Sequence, residues 1–233
     1  MRNKWWAKVL RIIGIVLMGL TAAFTLLGGA GTTCVALNPT GYEGKFAGVA
    51  PYQWLYILFV LVTIAIGVMG VRAVVLLIKG TKNAYRDALV ALIAGVVVGG
   101  IHMYVSRALR GGSMPVDMVV YITVFTLIVF LLFRIPAIWQ GVNFEKPAGE
   151  AKGKEKAVAI VLASTGLLTL TIQFLMAPTH TIGSLNYADA WHVTLSLIGT
   201  ALVSSGVIMA FFNPYALRRL EARSTKYLTS TWR

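Results

Sequence analysis

Six stretches of the chain stay apolar long enough to cross a bilayer, and short polar or charged segments separate them. A membrane-spanning helix needs about 20 mostly apolar residues. On that criterion the spans fall near 9–29, 52–78, 88–107, 118–139, 157–177 and 190–212. The fourth run meets Arg134 and Pro136 early. We expect it to continue to Trp139, with the arginine snorkelling towards the headgroups. Arg2, Lys4 and Lys8 ahead of the first run resemble the start of a signal peptide. However, Thr32-Thr33-Cys34 lacks the small residue that a lipoprotein cleavage site places before its cysteine, so the first run is read as a retained span.

Backbone groups inside a bilayer have no water to bond, so each span must satisfy its own N–H and C=O groups. The expected fold class is therefore all-α, a polytopic transmembrane helix bundle of about six spans. Composition agrees: 58% of the 233 residues are hydrophobic, 12% are charged, and the mean hydropathy is +0.77. Soluble domains run nearer half apolar and a quarter charged.

The positions of the charges give an orientation. With the N-terminus inside, eighteen of the 21 Lys and Arg residues fall in cytoplasmic segments, leaving only Lys45, Arg107 and Arg110 outside. Positive residues gather on the cytoplasmic side of membrane proteins. Both termini are thus expected in the cytoplasm, and a plasma-membrane location follows as an expectation. The acids divide five inside and three outside, so the whole net charge of +13 lies on the inner face. That placement points to anionic lipid headgroups as the basic residues' partner and makes nucleic acid an unneeded one. Trp5, Trp6, Trp54, Trp139 and Trp191 all fall at predicted span ends, where aromatic belts form.

Residues 1–213 read as the membrane domain. The segment 30–51 forms the longest outer loop, and 140–156 is a mixed-charge linker. The basic tail 214–233 can form an interfacial helix, with Leu217, Leu220 and Tyr227 opposite Arg218, Arg219 and Arg223. Spans one and five open with the similar runs Ile15-Val16-Leu17 and Ile160-Val161-Leu162, which makes the first and last hairpins candidate repeats. The single cysteine, Cys34, rules out an intrachain disulfide and a cysteine-based cluster.

Candidate chemistry is sparse. No Asp, Glu or Lys lies near a predicted span centre, where a coupled transporter normally keeps a carboxylate. The chain lacks H-E-x-x-H, G-x-S-x-G and P-loop patterns, and an enzyme is not expected. Small residues recur along two spans: Ala91, Gly95 and Gly99 in the third, Gly199 and Gly206 in the sixth. Such spacing lets helix backbones approach closely, so these five are the expected packing positions. His102 and His192 continue the same faces at similar predicted depth. Two imidazoles so placed could hold a haem iron or a chlorophyll magnesium, and they are the candidate cofactor-binding residues. Hydrogen bonding to a neighbouring helix is the simpler role for each. Three function classes follow in order: a non-catalytic subunit or scaffold with protein partners or further copies of itself, a small-solute transporter or channel, and a haem- or pigment-binding subunit.

Overall fold

A computed structural model describes residues 4–145, 154–182 and 184–211. The expected interfacial helix of 214–233 and residues 146–153 of the charged linker lie outside the described residues. Among the described residues seven α-helices follow in chain order: α1 (Trp5–Leu37), α2 (Gln53–Lys79), α3 (Ala84–Arg110), α4 (Val116–Phe133), α5 (Pro136–Val142), α6 (Lys154–His180) and α7 (His192–Phe211). A 3-10 segment, Ala47–Tyr52, leads into α2, and another, Tyr187–Trp191, leads into α7. Between α6 and α7 a two-residue antiparallel ladder sets Thr181 opposite Asn186 and Ile182 opposite Leu185. Six helical segments are long and apolar enough to cross a membrane. The helical bundle expected from the apolar runs is present.

Helix ends follow local chemistry. Gly80 closes α2 at φ +71°, and its N–H bonds back to Leu76 and Leu77 carbonyls. This left-handed terminus suits glycine, which has no Cβ to clash. The fourth apolar run does not continue to Trp139 as one helix. It stops at Phe133, and a separate helix starts at Pro136. Proline disfavours the helical region for the residue before it and is well placed at a first helical position. Ile135 accordingly sits at ψ 126°. Arg134, at the break, lies over two aromatic rings, 5.7 Å from the Tyr85 centroid and 5.0 Å from that of Trp139.

Helices α1 to α4 form a ring in which each packs against its two chain neighbours, α4 closing back on α1. Helix α6 packs on another face of α1, and α7 packs on α6. The end of the ring bearing Lys79 and Arg134 is plugged by aromatic side chains. Phe130 and Phe144 stack at 6.0 Å with planes 3° apart, and Tyr85 stacks on Phe130 while donating its hydroxyl hydrogen to the Phe130 carbonyl at 2.7 Å. Met18, Leu77 and Leu92 complete this core. A smaller core of Ala36, Phe46, Val49, Tyr56 and Val60 covers the opposite end. Bulky apolar side chains elsewhere face outward, among them Leu61 and Val68 on α2 and Leu131 on α4. Outward-facing Leu and Val on long helices suit a hydrocarbon solvent.

Candidate functional site

The axis of the α1–α4 ring is lined chiefly by glycine, threonine and valine, and there the helices leave a cavity of about 30 Å³. Glycines bring the backbones together around it. A Cβ on Gly99 would lie 2.9 Å from Val120 Cγ2, one on Gly95 3.1 Å from Thr123 Cγ2, and one on Gly28 2.8 Å from Val119 Cγ2. The third-span stripe thus faces α4 of the same chain. Ala91, one turn further along, is buried and lines a second, smaller cavity of about 10 Å³ beside Gly70.

His102 closes the cavity on the side away from the aromatic plug. It is 4% exposed. Its ring stacks on Phe59, with centroids 4.4 Å apart and planes 13° apart, and meets Tyr56 edge-on at 5.4 Å. Tyr56 in turn shares a 2.8 Å hydrogen bond with Ser106. The aromatic contacts hold the imidazole plane, yet its Nε2 is buried with no hydrogen-bond partner among the described residues.

Valine side chains and four threonines complete the lining, and three of those hydroxyls are already committed as donors. Thr25 donates to the Thr21 carbonyl at 2.7 Å, Thr32 to the Gly28 carbonyl at 2.7 Å, and Thr123 to the Val119 carbonyl. Each bond goes back four residues along its own helix, the usual resource of Thr in an apolar setting. The oxygens keep free lone pairs. Below the cavity, Thr21 and Thr126 bond across α1 and α4 at 2.8 Å. These threonines were not among the expected site residues. Their signal was present as Thr21, Thr25, Gly28 and Thr32 along one face of a helical period.

His192 lies in different surroundings. It is exposed at the start of α7, and its Nδ1 sits 2.8 Å from Oε1 of Gln173 on α6. Helices α3 and α7 are not among the closely packed pairs, and among the described residues the two histidines have different partners. Gly199 and Gly206 are the buried positions of α7. A Cβ on Gly199 would lie 2.6 Å from Leu170 Cγ, and one on Gly206 2.7 Å from the Ala159 carbonyl oxygen. Gly166 of α6 completes this close approach: a Cβ there would lie 2.8 Å from the Gly199 carbonyl oxygen.

A polar cluster ties α3 to α4 near the cavity. Arg107 Nε donates to Ser113 Oγ at 2.8 Å, Ser113 donates to Asp117, and Arg107 lies 3.4 Å from the Asp117 carboxylate. Asp117 occupies the first turn of α4, where the helix dipole also favours a negative charge. Among the described residues no three His, Cys, Asp or Glu side chains gather as metal ligands. Comparison of the chain with known protein families, with curated proteins and with solved structures finds no match.

Proposed function

We propose that this chain is a multi-pass protein of the plasma membrane, both ends in the cytoplasm, acting as a non-catalytic subunit or scaffold of a membrane complex. The observation that carries this reading is the filled interior. The axial cavity of about 30 Å³ is roughly a tenth of the smallest usual ligand pocket. A solute path needs a continuous polar lumen. Here the ring is closed by stacked Phe130 and Phe144 at one end and by Tyr56 and Phe59 at the other.

Helix α7 supports the packing role. Only its glycine face is buried, and Val193, Leu197, Ile198, Val207, Ile208 and Phe211 are exposed. That surface suits lipid, another subunit or another copy of the chain. The basic segments at the Lys79 and Arg134 end suit anionic headgroups, each Lys or Arg near the surface contributing about 1 kcal/mol.

Extraction in a mild detergent followed by sizing tests the proposal. Stoichiometric partner chains, or a homo-oligomer, are expected. A monomer that also catalyses solute uptake in liposomes would overturn the subunit reading in favour of a transporter.

A further inference from the structure

We propose that the axial cavity beneath His102 is a binding site for one or two water molecules, held between the imidazole Nε2 and the threonine hydroxyls. Three observations select this guest. Size comes first: about 30 Å³ accommodates two waters, since one needs about 10–15 Å³. A lipid chain or a tetrapyrrole has no room.

Hydrogen-bond polarity comes second. Three of the four lining threonines, Thr25, Thr32 and Thr123, have given their hydrogens to main-chain carbonyls, so toward the cavity they only accept. A guest that binds them must donate. Nonpolar gases do not donate, and simple anions such as chloride do not either. His102 supplies the third observation. Its Nε2 is buried and unpartnered among the described residues, and His102 is one of the residues that line the cavity. A buried imidazole nitrogen is expected to find a partner. Water answers either tautomer: it accepts from Nε2–H, or donates to the Nε2 lone pair, and keeps a hydrogen for a threonine oxygen.

Charge excludes the remaining small donors. No carboxylate lines the cavity, so an ammonium or a metal cation would be desolvated without a counter-charge. The lower cavity, about 10 Å³ and lined in part by Met18 and Leu92, is at the threshold for a single water and borders the Thr21–Thr126 bond. Hydration is therefore assigned to the upper cavity.

Radiolytic hydroxyl-radical labelling of the full chain in detergent micelles reads this directly, because radicals form at bound water. Phe130, fully buried in the same ring, is the dry reference, and its ring is intrinsically about as reactive as imidazole. His102 is expected to be oxidised at least several-fold faster than Phe130. Thr25→Val combined with Thr123→Val removes two acceptors at nearly constant volume and is expected to cut His102 labelling several-fold, leaving Phe130 unchanged. His102 labelled no faster than Phe130 in the unaltered chain would overturn the proposal, whether or not the variant folds. Fast labelling that the double variant leaves unchanged would overturn the threonines' part in the site.

Discussion

A methyl group has no room at position 206. The Cβ would lie 2.7 Å from the Ala159 carbonyl oxygen and 2.8 Å from the Ala163 nitrogen, both main-chain atoms that move only with α6. Gly206→Ala is expected to destabilise the α6–α7 hairpin by about 1–3 kcal/mol, the range of overpacking. Gly100, in the middle of α3, meets nothing within 4 Å. Gly100→Ala should raise stability by about 0.5–1 kcal/mol through helix propensity. Thermal unfolding midpoints in one detergent decide both, and a lower midpoint for Gly100→Ala would place a partner against that position. The Thr21–Thr126 bond gives a third expectation. A double-mutant cycle to valine should return a coupling of about 0.6 kcal/mol and below about 1.7 kcal/mol, as for polar bonds between membrane helices. At this scale, much of the glycine pattern was legible in the sequence. Gly95 and Gly99 announce a close contact through their spacing. What the spacing does not carry is the identity of the opposing surface, since Val120 and Thr123 are brought to it by a turn and the whole of α4. The unpartnered Nε2 of His102 was hidden for the same reason. Its surroundings come from four helices.

At the scale of elements, hydropathy places the helices well and their ends less so. Helix α1 was expected over 9–29 and runs from Trp5 to Leu37, 33 residues or about 50 Å. A bilayer core of about 30 Å explains the shorter expectation. The apolar window measures the hydrocarbon, whereas helical hydrogen bonding continues through Thr32, Thr33 and Cys34 into the interface. Hydropathy alone does not mark the break after Phe133, because a snorkelling Arg134 would also suit a continuous helix. Instead Pro136 opens a new helix, and Gly141 on it lets α5 press against α1, where a Cβ would lie 2.4 Å from the Trp6 ring. Arg134 then spans the junction over Tyr85 and Trp139. Arg134→Gln keeps a polar side chain while removing the cation. It is expected to cost about 0.5–1 kcal/mol. Chemical denaturation followed by Trp fluorescence would show it as a lower midpoint with an unchanged slope.

For the whole molecule, two units share α1: the α1–α4 ring with its sealed ends, and the α6–α7 hairpin leaning on it. The ring buries its threonines and its histidine, while α7 leaves most of its bulky side chains uncovered. That uncovered face is the one the proposed packing role would use. The orientation proposed for this assembly rests on charge: +13 on one side against none on the other. Cys34, the single cysteine, is exposed near the end of α1, and Lys82 is exposed in the α2–α3 turn, with one span between them. The most direct test labels intact cells with a membrane-impermeant thiol reagent. Cys34 is expected to react in intact cells, and a Cys34→Ala, Lys82→Cys chain only after permeabilisation. Reaction of both positions from outside would contradict the span that separates them, and the reverse pattern would contradict the cytoplasmic placement of the termini.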